Sequence, residues 1–434
     1  MQIPQYPENT QAQLATPGER PAKQDGEEPG PLRPLSSFQQ AMIALASVAM
    51  GAGMTINFVV VSPYARTVGP NGLPEMMVAG ILVFSAALYA LAIPKWGEIA
   101  DRYGRKRVMV FSLWAMGLTN MLFLFTLEAA DAGYLGGTAT IFLSLVFVRI
   151  WFGLLSPGLQ PASFAAITDA TTAKTRAAGM GMLGAAMSVG SVIGPAVAAV
   201  LAPFGALVPL WASIIFCMLC GSAIGFALPK TRGQRAAAER PKPLRARDPR
   251  VLPHLTFIFI YFLGVAMIQQ TLGWFIEDRY DLGRRDAVLF TGIAFACLAG
   301  MMVVIQFGYV QPRKPDPSRV LPIGLFLVAL GYIGANLIHP FWALCICFAF
   351  VGFGAALAVP AANALGSLSV DREEQAGAAA LLSAAPPAAF IFGPLIGAGL
   401  FQLAKPLPFY IAATVMFVLT IYALQRGKAQ TTSH

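Results

Sequence analysis

The sequence predicts an all-α integral membrane protein whose twelve transmembrane helices form two pseudo-symmetric six-helix bundles. Three observations carry this reading. The first is composition: 56% of the 434 residues are hydrophobic and only 12% are charged, where soluble proteins carry about 25% charged residues. No soluble fold of this length hides so much apolar surface, because surface shrinks too slowly relative to volume. The second is that the apolar residues fall in long unbroken runs, each near the ~20 residues that a membrane-spanning helix needs. Barrel strands would instead alternate apolar and polar over about ten residues. The third is a repeat that divides the runs six and six.

Residues 1–37 are polar and rich in Pro, Gly, Gln and Glu, and they contain no apolar core of a signal peptide. This segment reads as a disordered cytoplasmic tail. The first bundle, residues 38–228, holds spans at 38–62, 76–96, 107–127, 138–160, 177–202 and 207–228. A basic cytoplasmic linker follows, 229–252. Its stretch from Pro229 to Arg250 has eight basic residues, two acidic residues and four prolines, with no apolar run. The second bundle, 253–425, holds spans at 253–276, 287–310, 318–338, 340–362, 377–401 and 407–425, and residues 426–434 form a short cytoplasmic tail.

Charge sets the topology. With both termini in the cytoplasm, 24 of the 30 Lys and Arg lie on the cytoplasmic side, five lie outside (Arg66, Arg279, Arg284, Arg285, Lys405), and Arg149 lies within a span. That asymmetry is the positive-inside rule. The net charge of +9 is therefore topological: the expected surroundings are a lipid bilayer, with no nucleic-acid partner. A cytoplasmic (inner) membrane is the expected location.

The repeat is explicit. "PASFAAITDATTAKTRAAG" (161–179) echoes "PAANALGSLSVDREEQAG" (360–377), and Gly194-Pro195 echoes Gly393-Pro394, each at an offset of 199 residues. Parallel halves of this kind place a binding site between them and work by rocking.

Between spans two and three lies "GEIADRYGRK", with seven charges in the thirteen residues from Lys95 to Arg107. A short turn held on the cytoplasmic side explains the charges, and Gly97 and Gly104 permit the turn. Asp101 has Arg102, Arg105 or a helix N-terminus as candidate partners. This loop, with Gly97, Asp101, Arg102, Gly104, Arg105 and Lys106 on the pattern, resembles the signature of the major facilitator superfamily, and the span count and loop position agree. The resemblance covers essentially the whole chain beyond residue 37. It implies the major facilitator fold and a loop that latches the two halves in one conformation. The corresponding second-half loop, "GYVQPRKPDPSRV", lacks the Asp-Arg-x-Gly pattern, so any latch is one-sided.

Span five contains "GSVIGP", with Gly190 and Gly194 on one helix face for close packing and Pro195 interrupting the backbone bonding. This stretch, with "RIWFGLLSPG" around Arg149, resembles the signatures of the twelve-span drug:proton antiporter branch, which includes the tetracycline efflux pumps. The resemblance implies proton-coupled export of hydrophobic or amphipathic organic compounds by alternating access. Two rival readings stand beside it: transport of a specific metabolite, siderophore-like or anionic, and a membrane sensor that transports nothing.

Arg149 sits mid-span, where an arginine costs about 2.5–3.5 kcal/mol on insertion scales. No Asp or Glu lies deep in any span, a departure from the family's antiporters; Asp101, Asp169, Glu277 and Asp278 lie at span ends. Three readings stay open: Arg149 relays protons with an end-of-span acid such as Asp101 or Asp169, or is counter-ion to the substrate, or is structural, bonded to carbonyls or to Asn57. The sparse polar residues Asn57, Gln269, Gln270, Trp274 and Asn363 come from both halves and are the candidates for a small-molecule pocket. Trp274 also suits a membrane-interface anchor.

Other chemistries find no support. "GMGMLG" (179–184) fits the dinucleotide glycine pattern, but it lies inside a span and follows no strand. No Walker A sequence occurs, the three histidines are scattered, and the five cysteines all fall in spans as buried small hydrophobes. No catalytic residues, cofactor or metal are expected; a monomer is the expected unit.

Overall fold

The computed structural model describes residues 35–229, 247–371 and 374–431. The expectations for the first 34 residues, for linker residues 230–246 and for the last three residues lie outside those described. Among the described residues there is no strand, and twelve spans are long and apolar enough to cross a membrane.

The first half comprises α1 (Ser37–Arg66), α2 (Glu75–Tyr103), α3 (Arg105–Asp131), α4 (Thr138–Leu155), α5 (Leu159–Ala170), α6 (Ala173–Leu201) and α7 (Val208–Ala227). The second comprises α8 (Leu252–Tyr280), α9 (Arg284–Ile305), α10 (Gln311–Arg313), α11 (Pro317–Leu337), α12 (Phe341–Ser367), α13 (Gln375–Leu403) and α14 (Leu407–Thr431). The fourth span is α4 and α5 together, interrupted at Ser156-Pro157-Gly158, because a proline cannot supply the next backbone donor. The eighth runs from α9 through a π-helical turn at Gln306–Val310 into α10. With twelve crossings, both ends of the described chain lie on one face, the termini face. The opposite side is called the far face.

Helix ends overrun the apolar runs, because polar residues extend a helix once its core is in lipid. Ser36 caps α1 reciprocally: its hydroxyl accepts from Gln39 N at 3.2 Å, and its own N–H donates to Gln39 Oε1 at 3.0 Å. The overrun corrects one expectation. The charged stretch from Gly97 to Lys106 is not an open loop, since α2 continues to Tyr103 and α3 begins at Arg105. Gly104 alone makes the turn, at φ 96°, a left-handed conformation that favours glycine. Gly97 stays helical, and a Cβ there would meet Pro161 Cβ of α5 at 3.9 Å, an ordinary contact, so neither the turn nor the packing requires glycine at that position.

The glycines of span five do what their spacing predicts. On α6, a Cβ at Gly190 would lie 2.1 Å from the Val48 carbonyl oxygen of α1, and one at Gly194 would lie 2.7 Å from that of Ala52. Gly51 of α1 answers them, with its Cβ position 2.2 Å from Met187 O. No other residue fits there, and the backbones of α1 and α6 touch. The second half repeats the device. Gly393 and Gly397 of α13 lie against α8, with Cβ positions 3.0 Å from Leu263 O and 2.9 Å from Met267 O.

The halves meet through α1 with α8, α6 with α9, and α2 with α13. These crossings lie toward the far face: Gly273 of α8 sits on Pro63, and Gly292 of α9 sits on Pro195 and Ala199.

Candidate functional site

Three polar assemblies interrupt the apolar interior. The deepest surrounds Arg149, which is 2% exposed. One guanidinium nitrogen donates to Asn120 Oδ1 at 3.1 Å and another donates to Asn57 Oδ1. Each amide is held by its own helix: Asn57 Nδ2 donates to Gly53 O at 2.7 Å and Asn120 Nδ2 to Met116 O at 2.9 Å. The guanidinium carbon also lies 3.9 Å from the centre of the Phe123 ring and 5.2 Å from that of Phe152, where the negative ring faces attract a cation. Arg149 Nε is buried without a hydrogen-bond partner. The node ties α1, α3 and α4 together inside the first half. Of the three readings of Arg149, this geometry favours the structural one, with Asn57 as foreseen and Asn120 missed.

The second assembly lies at the termini face. Arg105 donates to Asp101 Oδ1 at 2.9 Å, to the Ala165 carbonyl at 3.4 Å and to Asp169. Lys106 donates to the Leu228 carbonyl at the end of α7. Arg102 lies against the Tyr103 ring. The expected latch residues thus hold α2, α3, α5 and α7 of one half to each other. Asp101 and Asp169 do come together, but not with Arg149. Asp169 lies twenty residues further along the fourth span, roughly 30 Å at helical rise. In the second half, Arg250 just ahead of α8 pairs with Asp248 at 2.9 Å, Glu374 at 2.8 Å and Asp371 at 3.7 Å. The Arg250 guanidinium and backbone N–H hold the Asp248 carboxyl below the usual carboxylate range, and Asp248 and Glu374 in turn raise the guanidinium's affinity for its proton.

The third assembly is at the far face and joins the halves. Arg66, ending α1, grips Asp278 of α8 with two donors at 2.6 and 3.2 Å. It also reaches Glu75 of α2 at 3.1 Å and Glu277 of α8 at 3.6 Å. Lys405 lies 3.0 Å from Asp278. Arg284, opening α9, pairs with Asp131 of α3 and donates to the Thr67 side chain and carbonyl. Asp131 also accepts from Tyr64 Oη at 2.6 Å. Just beneath, Trp274 Nε1 donates to Ser62 O at 2.6 Å, and Ser62 donates to Gln270 O.

The five candidate pocket residues do not form one cluster. Asn57 belongs to the arginine node. Trp274 and Gln270 are fully buried in the seam between α1 and α8, because Gly273 lets that face of α8 close on Pro63. Trp274 is therefore no membrane-interface anchor. Gln269 is half-buried and makes no side-chain hydrogen bond among the described residues, and Asn363 is exposed, donating to Val359 O at 3.0 Å.

Two similar six-helix halves, glycine-packed within and sealed to each other at one face, form the architecture of a multi-span membrane transporter. The sequence matches the Major Facilitator Superfamily over residues 42–319 and 313–432, and the chain belongs to that family. It is 26% identical over 352 residues to multidrug resistance protein 2 of Bacillus subtilis (strain 168), covering 78% of this chain and 84% of that protein. It is 24% identical over 372 residues to the class C tetracycline resistance protein of Escherichia coli, covering 80% and 86%. Its fold is similar to an inward-facing bacterial homologue of the human lysosomal transporter Spinster, with a TM-score of 0.64, 15% identity and coverage of 90% and 95%. It is also similar to the partially occluded, inward-open xylose transporter XylE of E. coli, with a TM-score of 0.65, 13% identity and coverage of 89% and 97%.

Proposed function

We propose that this chain exports hydrophobic or amphipathic organic compounds across the cytoplasmic membrane in exchange for protons, alternating access between its halves. The termini face is then cytoplasmic by the positive-inside rule, and the conformation described is the one sealed to the outside. The observation that carries the reading is the far-face assembly, in which α1 and α3 of the first half are ion-paired to α8 and α9 of the second. Contacts of that kind hold one conformation and must part in the other. The substrate class follows from two supports. The relatives named for multidrug and tetracycline resistance match most of the chain. Arg149, the cation expected to hold an anion, is 2% exposed with both terminal nitrogens on amides of its own half. What remains for a ligand is an apolar and aromatic surface with few polar groups, which suits compounds that partition into lipid.

The test uses inside-out vesicles with an imposed acid-inside gradient, followed by a pH-sensitive dye while cationic, neutral and anionic compounds are added in turn. Neutral or cationic amphipaths are expected to discharge the gradient. Arg149→Ala vesicles are expected to lose the response to all of them alike. Discharge by anions only, lost selectively in Arg149→Ala, would make Arg149 the substrate's counter-ion. No discharge by any compound would remove proton coupling.

A further inference from the structure

Among the described residues the mid-span interior offers no carboxylate to carry the proton, and the far-face assembly holds an imbalance that supplies one. Three cations, Arg66, Arg284 and Lys405, face four carboxylates, Glu75, Asp131, Glu277 and Asp278. The other charged residues nearby do not correct the count. Arg279 turns away to donate to the carbonyls of Ala335, Asn336 and Ile338, while Asp281, Arg285 and Asp286 are exposed and Glu128 faces solvent or lipid. Closing the halves thus gathers one negative charge more than the cations neutralise, and the three acids around Arg66 are only 11–17% exposed, where an unpaired charge is costly.

The partners show where that charge resides. Asp278 has both donors of Arg66 and Lys405 at 3.0 Å. Glu75 has Arg66 at 3.1 Å and the Gln402 amide at 3.2 Å. Asp131 has Arg284, Tyr64 and the Gly69 N–H at 3.3 Å. Glu277 has only Arg66 at 3.6 Å, its Oε2 is buried with no hydrogen bond, and its side chain, 11% exposed, is the most enclosed of the three acids around Arg66.

We infer that Glu277 is the acid that takes up a proton as the far face closes, so that acid on the far side drives the molecule into its far-face-sealed state. The proton passes from far-side water to Glu277 Oε2, and three carboxylates are left facing three cations. The inference rests on the alternating-access reading above and gives it a place for the proton to act. The sign follows from linkage: the sealed state binds one more proton than the open state, so sealing strengthens as pH falls.

The experiment reads the gate itself, without substrate. Spin labels at Asn71→Cys and Gly283→Cys, in a chain whose native cysteines are replaced by alanine, report the distance between the α1–α2 and α8–α9 connections. Both positions are exposed, and a Cβ at Gly283 meets open space. In lipid nanodiscs between pH 8 and pH 5, the sealed-to-open ratio is expected to rise by up to about tenfold per pH unit, the limit for one proton. Glu277→Gln is expected to stay sealed throughout, with no slope. Asp278→Asn is expected to be less sealed but to keep the slope. A native chain that ignores pH, or a Glu277→Gln chain that keeps the native slope, overturns the proposal. Arg66→Ala separates the two readings. If it lengthens the distance while Glu277→Gln still titrates, the gate is real and the acid lies elsewhere. If it too leaves the distance unchanged, the gate reading fails and Glu277 falls with it.

Discussion

The two faces of the molecule are held by the same chemistry used in opposite ways. At the far face, arginines bind carboxylates of the other half: Arg66 of α1 reaches α8, and Arg284 of α9 reaches α3. At the termini face, arginines bind carboxylates of their own half: Arg105 reaches Asp169, and Arg250 reaches Glu374. The difference separates what moves from what is carried. On the proposed alternating cycle, far-face pairs break at each turn, whereas termini-face pairs travel with each half. The glycine contacts of α6 on α1 and of α13 on α8 belong to the second group, since close-packed backbones shift as a unit.

The largest effect is expected from Arg66→Ala. It removes the one cation within 4 Å of Glu277 among the described residues and strips Glu75 and Asp278 of a partner each. Breaking a buried pair by deleting one member costs about 3–5 kcal/mol, or roughly a hundredfold or more in an equilibrium at about 1.4 kcal/mol per decade. The labelled far-face distance should therefore lengthen and transport should fall, while thermal unfolding in detergent changes little. A variant that unfolds instead would show that this arginine holds the halves' structure and not their equilibrium.

Arg105→Ala sharpens the comparison from the other side. Arg105 is 11% exposed and holds Asp101, Asp169 and the Ala165 carbonyl within one half. Losing hydrogen bonds to a charged group costs about 1.5–3 kcal/mol. The expected result is a lower unfolding temperature with the far-face distance unchanged. A changed distance would mean that the expected latch acts across the halves in the state described.

Much of this was legible in the sequence, and the parts that were not share one cause. Apolar runs fix spans because lipid tolerates nothing else, so the twelve spans and the glycine seam at Gly190 and Gly194 could be read directly. Local pairs could be read as well: Asp101 and Arg105 are four apart on the chain. The far-face assembly could not. Arg66 and Asp278 are separated by 212 residues, and a span-end acid looks like a solvated charge until the fold brings a second half over it. Asn120 was missed for a smaller reason. It is a lone amide in an apolar run, the same signal that singled out Asn57, and it meets Arg149 only because α3 packs on α4. Trp274 and Gln270 read as pocket candidates and lie buried in the seam between α1 and α8, because a seam and a pocket look alike in sequence.

The smallest effect is expected at Arg250, and it tests whether the second half has a counterpart to the first half's clasp. Arg250 joins the end of the linker to Asp371 and Glu374, ahead of α13. Exposure weakens it, since 43% of its side chain is open to solvent, and ion pairs in water contribute little. Arg250→Ala should change transport by about twofold or less, with no change in the far-face distance. Its pH dependence should also run opposite to that of the gate. Arg250 holds the Asp248 carboxyl below its ordinary range, so this local pair ahead of α8 is fully formed above the ordinary carboxylate pKa of about 4 and is lost as pH falls below it. Acid that tightens the far face thus loosens the Arg250–Asp248 pair ahead of α8. Hydrogen exchange at the start of α8, compared between pH 7 and pH 4 in native and Arg250→Ala chains, measures the effect. Native exchange should approach that of the variant only at the lower pH, and equal exchange at both would leave the first half as the only one with a working clasp.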